Sequence, residues 1–149
     1  MGHASVSMDD KGRLAIPKKH RGPLQAACGG TVVVTADTTG ALLVFPYPEW
    51  CDFADRLMQL PNSGANAVVR DLQRLYWGYA ETLTLDGQGR FATTTQQRAL
   101  AGLEKSCVIV GIGRKLEVWS EARWQARLRL PELDEARTMH LAQLNDFVI

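Results

Sequence analysis

The chain repeats part of its own sequence. Residues 8–15 (MDDKGRLA) return as residues 85–92 (LDGQGRFA), an offset of 77 residues, and Arg21 maps onto Arg98 at the same offset. The agreement in position, order and residue type extends over about 45 residues, which marks a true internal repeat. A unit of that size is too small to bury a stable core alone. Two copies are therefore expected to pack together as an intramolecular pseudo-dimer.

Each copy predicts the same order of elements: an extended stretch, a glycine-containing turn, a short strand, a short helix and two β-strands. The expected positions are 3–8, 18–25, 31–36 and 41–46 in the first copy, and 79–85, 95–101, 106–112 and 114–119 in the second. The fold class expected is α+β, mainly β. The expected domain division is repeat 1 (1–50), connecting helices (51–77), repeat 2 (78–124) and a C-terminal tail (125–149).

Two apolar stripes predict a helical hairpin between the repeats. The first stripe is Trp50, Phe53, Ala54 and Leu57, and the second is Val68, Leu72, Leu75 and Tyr76. A break at residues 61–64 separates them. We expect both stripes to pack on the β core or on a neighbouring subunit, with Arg70 and Arg74 on a solvated or interfacial face. The tail 131–149 has weak helical periodicity.

Charge is unevenly distributed along the 149 residues. The net charge is only +1, which argues against a generally basic nucleic-acid binder. Residues 1–21 nevertheless carry a local excess of +3, and residues 132–149 an excess of −3. The N-terminal segment could therefore face a polyanion.

The chain shows no apolar run of the roughly 20 residues that span a bilayer and no signal sequence, so no membrane partner is expected. Three widely spaced cysteines predict buried free thiols rather than disulfides or a metal site, and a cytoplasmic location. No metal or cofactor is expected.

The repeated turns carry the candidate functional residues. An aspartate at a turn can accept backbone N–H bonds and pair with the arginine four residues on, while glycine supplies a positive φ. The expected loop-orienting residues are Asp9, Gly12, Asp86 and Gly89. A hairpin tip projects basic side chains toward a duplex, and arginine matches phosphate oxygens or guanine. The candidate DNA contacts are Lys11, Arg13, Lys18, Lys19, Arg21 and Arg90. Because Gln88 stands where the first turn has Lys11, the second turn is expected to contribute less; His20 is expected to be neutral.

With these motifs the whole chain resembles the MraZ family of bacterial transcriptional regulators, which are built from two SpoVT/AbrB-like repeats. The resemblance covers about residues 2–130. It is carried by Asp9-x-Lys11-Gly12-Arg13-Leu14-x-Ile16-Pro17 with Arg21, by Asp86-x-x-Gly89-Arg90 with Arg98, and by Pro46-x-x-Glu49-Trp50, Ala101-Gly102-Leu103-Glu104-Lys105 and Val110-Gly111.

The resemblance implies a swapped-hairpin AbrB-like β-barrel formed within one chain. It also implies ring-shaped homo-oligomers that bind direct repeats in the promoter of the division and cell-wall gene cluster, at the nucleoid. By the same resemblance, Arg13, Arg21, Arg90 and Arg98 contact double-stranded DNA. One departure is the sequence Thr93-Thr94-Thr95, which replaces the family's proline at the second short helix. One of these threonines is expected to cap the helix instead.

Three other functions stay open from the residues. One is an AbrB-like antitoxin that binds DNA and a toxin partner, although such proteins usually have one repeat. Another is an enzyme, for which the sequence offers only a possible Asp9–Asp86 carboxylate pair, each member expected to be held ionised by its arginine. The last is a structural assembly protein without DNA affinity.

Overall fold

A computed structural model describes residues 2–61 and 65–128. The same order of elements, β-β-α-β-β-α, occurs twice in these residues, with one extra helix between the copies. The elements are β1 (Gly2–Ser7), β2 (Arg13–Ala15), α1 (Lys18–Cys28), β3 (Thr31–Ala36), β4 (Leu42–Pro46), α2 (Tyr47–Met58), α3 (Ala67–Gly78), β5 (Glu81–Thr84), β6 (Arg90–Ala92), α4 (Thr95–Ala101), β7 (Ser106–Ile112), β8 (Lys115–Ser120) and α5 (Glu121–Arg127). The α+β, mainly β class is confirmed. The expected periodicity of residues 131–149 lies outside the described residues.

Strands of the two repeats are interleaved in one antiparallel sheet of order β1-β7-β8-β4-β3-β5. The first strand of each repeat leaves its own copy and pairs with the other: β1 with β7, and β5 with β3. The short strands β2 and β6 pair with each other in a separate ribbon. This exchange is the swapped-hairpin arrangement, and it makes the two repeats one folding unit.

The closed barrel implied by the resemblance is not found in the strand pairing. Within the part of the chain that the structure describes, β1 and β5 are the two edges of the six-stranded sheet and do not pair with each other. The ribbon does not connect these two edges, because β2 and β6 have three residues each and are hydrogen-bonded to each other.

The main core lies between the ribbon and one face of the sheet. Alternate strand residues point to this face because side chains in a strand have a period of two, so that Val32 and Val34 are fully buried here. The ribbon contributes Leu14 and Phe91, which lie opposite each other across β2 and β6 and are 0% and 2% exposed. The ribbon therefore forms one wall of the core and is held rigidly against the sheet.

The other face of the sheet is covered by helices that follow the last strand of each repeat. Helix α2 packs Trp50 and Ala54 against Val33, Leu43 and Phe45. Helix α5 brings Trp124 against a second cluster that includes Val108 and Trp119.

The helical hairpin is present, with its expected break at residue 61, but its two stripes are unequally buried. In α2, Trp50, Ala54 and Leu57 are buried as expected. Helix α3 has no buried residue, and Val68 is 68% exposed. The sequence left open whether this stripe packs on the β core or on a neighbouring subunit, and Leu72, Leu75 and Tyr76 are half-buried among the described residues. The contacts of α3 with the core are made near its C-terminal end, where the Tyr76 ring meets Phe53 and its hydroxyl donates to Asp37 Oδ1 at 2.8 Å.

The three cysteines are free, as expected, although Cys28 and Cys51 are only half-buried. Burial raises the pKa of the Cys107 thiol to about 11. No helix among the described residues is both long and apolar enough to cross a bilayer.

Candidate nucleic-acid interface

The first repeated turn is built around the carboxylate of Asp9. One oxygen, Oδ1, accepts hydrogen bonds from the backbone N–H groups of Lys11 and Arg13 at 2.9 and 2.8 Å. The other, Oδ2, accepts from Arg13 Nε at 2.7 Å. Gly12 has a φ of +75°, a conformation that L side chains rarely adopt. The turn is thus fixed locally, and the Arg13 side chain is 32% exposed.

The second turn reproduces this geometry. Asp86 Oδ1 accepts from the N–H groups of Gln88 and Arg90, both at 2.9 Å, and Oδ2 accepts from Arg90 Nε at 2.7 Å. The φ of Gly89 is +71°. The aspartate–arginine pairs expected from the spacing are therefore present in both repeats.

Both turn aspartates are held ionised. The backbone N–H of Arg90, followed by its side chain, lowers the pKa of Asp86 to about 2. The N–H of Arg13 is likewise the largest cause lowering the pKa of Asp9. A carboxyl group that stays ionised at neutral pH is not a proton donor, so neither aspartate is suited to act as a general acid.

We predict that Asp86 stabilises the fold in a pH-dependent way. Its pKa is lower in the folded state, so its contribution is fully present above about pH 4 and is lost as the pH falls toward 2. Asp86→Asn cannot ionise, so the variant should be less stable than wild type at pH 6, and the difference should be smaller at pH 2. Urea unfolding at both pH values measures the difference. A gap that persists unchanged at pH 2 would contradict this account of the carboxylate.

The two turns are hydrogen-bonded to each other's repeats. The backbone N–H of Ile16 donates to the carbonyl oxygen of Gly89 at 2.9 Å, and the N–H of Thr93 donates to that of Gly12 at 3.0 Å. The Thr93 hydroxyl adds a second bond to the same Gly12 oxygen at 2.7 Å. Each turn is therefore positioned by the other repeat.

The arginines of the short helices cross between repeats in the same way. A Cβ atom built on Gly89 would lie 2.5 Å from Nε of Arg21, and one on Gly12 would lie 2.9 Å from Cζ of Arg98. Glycine is favoured at both turns by its positive φ, and the absence of a Cβ leaves room for the arginine side chain. Arg21 of the first repeat thus lies on the second turn, and Arg98 of the second repeat on the first.

The pose of Arg98 follows from the threonines that replace the proline. Thr94 is the N-cap of α4 and forms a capping box with Gln97, which confirms the expected threonine cap. Arg98 Nη1 donates to the Thr93 carbonyl at 2.5 Å, and Nη2 donates to Thr95 Oγ1 at 3.2 Å. By contrast, Arg21 donates through Nε to the Ile16 carbonyl at 2.6 Å.

Gln97 is a positioning residue that our sequence analysis missed. Its side chain is fully buried, and its Nε2 donates to the carbonyls of Val34 at 3.1 Å and Tyr79 at 2.8 Å. It therefore fixes α4, and with it Arg98, against the sheet. The Thr-x-x-Gln spacing of a capping box was the available signal.

The structure places four of the candidate residues in two pairs, one at each end of the ribbon formed by β2 and β6. We call the set Arg13, Arg21, Arg90 and Arg98 the arginine surface; all four are partly exposed. Lys11 is exposed on the first turn beside them. Lys18 and Lys19 are exposed at the start of α1, but Lys19 Nζ would lie 3.1 Å from a Cβ on Gly2. Gly2 is at the end of β1 remote from the turn, so Lys19 extends away from the arginine surface.

The arginine surface is suited to an anion rather than to a metal. Within residues 2–61 and 65–128, no group of three or more histidine, cysteine or acidic side chains could hold a metal ion. The ion pairs on the turns engage Nε of Arg13 and Arg90. The two terminal nitrogens of each guanidinium are further hydrogen-bond donors, and both side chains are 32% exposed.

Comparisons with known proteins agree over nearly the whole chain. The family model described as "MraZ protein, putative antitoxin-like" matches residues 1–74 and 77–142, and each segment contains one repeated turn. A protein of Methylococcus capsulatus named transcriptional regulator MraZ is 44% identical over 135 residues, which is 91% of this chain and 87% of the relative. Its namesake from Nitrosomonas europaea is 41% identical over 137 residues, or 92% and 88% of the two chains. A third, from Thioalkalivibrio sulfidiphilus, is 45% identical over 123 residues, or 83% and 81%.

Proposed function

This chain belongs to the MraZ family of transcriptional regulators, and we propose that it regulates transcription by binding double-stranded DNA through the arginine surface. Its family consists of regulators rather than enzymes, in agreement with the sequence analysis. The site of action would be the promoter, within the nucleoid of the cytoplasm.

The observation that carries this proposal is the exchange of arginines between the repeats. Arg21 and Arg98 each lie on the turn of the opposite repeat, so that two turns and two helix starts contribute guanidinium groups to one surface. A planar guanidinium can contact phosphate oxygens or the O6 and N7 atoms of guanine. In our proposal, phosphate contacts position the protein, and one or two arginine–guanine contacts select the sequence.

One subunit offers few cations, so we propose that binding is multivalent. Two or three neutralised phosphates give weak, salt-sensitive binding. A ring-like homo-oligomer makes the later contacts intramolecular, which can raise the apparent affinity by roughly 10²–10⁴. Direct repeats in the protein's own promoter, spaced about 10 bp apart, would place each DNA box on the same face of the duplex.

The test is a fluorescence-anisotropy titration with DNA from upstream of the protein's own gene. We expect fragments with two or more repeated boxes to bind at least tenfold more tightly than a fragment with one box. We also expect the affinity to fall linearly in log–log plots against salt. A shuffled fragment of equal length and composition is the control. If it binds as tightly as the promoter, sequence-specific regulation through this surface is wrong.

An AbrB-like antitoxin is the second candidate, favoured by the description of the family model as antitoxin-like. It requires a toxin partner in addition to DNA. Affinity purification of the full-length chain from its own host, at low and high salt, tests this candidate. A small protein that co-purifies in stoichiometric amount and stays bound at high salt would support the antitoxin function. If no such protein co-purifies, the antitoxin function is wrong.

A further inference from the structure

A cavity of about 410 Å³ lies outside the arginine surface. It is bounded by α1, the start of α2 and the β7–β8 hairpin. Its buried floor includes Leu24, Pro46 and Leu116. The volume falls in the range of small-molecule sites, which are concave, mostly apolar and lined by a few polar groups.

One of those polar groups is a buried histidine without a partner. His20 lines the cavity and is 9% exposed, and its Nε2 has no hydrogen-bond partner among the described residues. Burial is the main cause that lowers the pKa of His20, so the ring is neutral, as expected from the sequence. Nε2 is itself buried, so a ligand in the open cavity would pack against the imidazole ring and would not reach this nitrogen.

The His20 imidazole lies against a glycine of β7. A Cβ built on Gly111 would lie 2.7 Å from His20 Cε1, so only glycine allows the ring to lie this close to β7. The φ of Gly111 is not in the positive range that favours glycine. Glycine is needed at this position because a side chain would occupy the space of the His20 ring. This close fit fixes the imidazole at the cavity wall.

The rim of the cavity is positively charged. Arg114 and Lys115 outnumber the single carboxylate of Glu49. Arg114 is 85% exposed, and its Nη1 lies 3.4 Å from Glu49 Oε1, a long pair of the kind that contributes little in water. An incoming anion can therefore take the place of Glu49 on Arg114.

We propose that this cavity binds a small molecule with an apolar body and a single carboxylate group. The apolar body occupies the floor formed by Leu24, Pro46 and Leu116. The carboxylate meets Arg114 at the rim, and the apolar body packs against the His20 ring. Lys115, whose ammonium lies 5.6 Å from the centre of the Phe45 ring, adds positive charge nearby.

The cavity and the arginine surface share helix α1. His20 on this helix faces the cavity, while its neighbour Arg21 lies on the second turn at Gly89. A ligand that fixes α1 changes the freedom of Arg21, so the ligand is an effector of DNA affinity. This effector role rests on the proposed DNA binding, whereas the ligand site does not.

Saturation-transfer NMR on the full-length protein tests the site with 2-naphthoate and its uncharged isostere 2-naphthamide. We expect 2-naphthoate to bind with a dissociation constant on the order of 0.1–1 mM, at least threefold more tightly than 2-naphthamide. Ala27→Trp fills the cavity from an exposed position and should abolish both signals. Ala26→Trp, exposed on the same helix but not lining the cavity, is the matched control and should retain them.

The charge requirement is tested with Arg114→Gln. This substitution should weaken 2-naphthoate at least threefold and leave 2-naphthamide unchanged. Equal binding by the Ala27→Trp and Ala26→Trp variants, or no binding by wild type, would overturn the ligand site. If 2-naphthoate binds only at low protein concentration, the cavity is occupied by a second copy of this chain at higher concentration. That result would also overturn the ligand site.

The effector role has a separate readout. Saturating 2-naphthoate should change the midpoint of the promoter titration at least threefold in wild type and leave that of Ala27→Trp unchanged. If 2-naphthoate binds but the midpoint stays fixed, the effector role is wrong. If the protein without ligand does not bind promoter DNA at all, the proposed function has failed, and the ligand site is judged by NMR alone.

Discussion

Arg13→Ala is expected to weaken promoter binding at least 100-fold while the fold and the proposed oligomer stay intact. One lost arginine contact costs about 1–3 kcal/mol when the arginine reads a base. In a multivalent complex every engaged subunit loses that contact, so the losses multiply. The turn should survive, because the backbone N–H groups of residues 11 and 13 still donate to Asp9. Anisotropy measures the affinity, light scattering the assembly and circular dichroism the fold.

Two variants serve as controls for Arg13→Ala. Arg90→Ala removes the equivalent arginine from the turn that has Gln88 in place of Lys11, and its effect should be smaller. Arg74→Ala removes an arginine that is 70% exposed and paired with Asp71 on α3, so it should leave affinity unchanged. If Arg13→Ala matched Arg74→Ala, Arg13 would have no role in DNA binding. A larger loss for Arg90→Ala would reverse the order of the two turns.

Phe91→Ala is expected to lower the free energy of unfolding by about 3–5 kcal/mol, the usual cost of removing a fully buried phenylalanine. Phe91 is 2% exposed and lies opposite Leu14 in the ribbon that carries both turns. The cavity left behind would loosen the pairing of β2 with β6, which holds the two turns in place, so promoter affinity should also fall. Urea unfolding gives the stability, and anisotropy at 10 °C, with the variant still folded, gives the affinity.

Phe45→Ala separates stability from positioning. Phe45 is 4% exposed but belongs to the cluster on the opposite face of the sheet, beneath α2. Phe45→Ala should lower the free energy of unfolding by about as much as Phe91→Ala and leave the promoter affinity of the folded protein nearly unchanged. An equal loss of affinity in both variants would show that the ribbon has no special part in holding the arginine surface. A destabilisation below about 1 kcal/mol for Phe91→Ala would contradict its place in the core.

Local patterns were predictable because their causes lie within a few residues. The aspartate–arginine turns depend on a spacing of four residues and a glycine with positive φ, and both turns have the expected hydrogen bonds. Strands β3 and β7 have the expected bounds, since each is an apolar run between turn signals. Helix α4 also has its expected bounds, and one of the three threonines caps it.

Contacts between distant residues could not be predicted in this way. The direction of Lys19 toward Gly2 depends on how β1 pairs with β7. The exposure of Val68 depends on how much of α3 the sheet and α2 cover, which a helical stripe does not specify. The position of β1 and β5 at the edges of the sheet depends on β2 and β6 pairing with each other, which the short strand predicted in each repeat does not specify.

The sequence by itself determined the duplication, the two aspartate–arginine turns and the kinds of element in each repeat, because these follow from identity at a fixed offset and from short-range hydrogen bonding. Tertiary structure decided which turn each helix arginine lies on. Arg21 meets Gly89 and Arg98 meets Gly12 only because the repeats exchange their first strands and join β2 to β6. Such an exchange is a choice between pairing partners that are both short apolar strands, β3 and β7, and the packing of the shared core makes that choice.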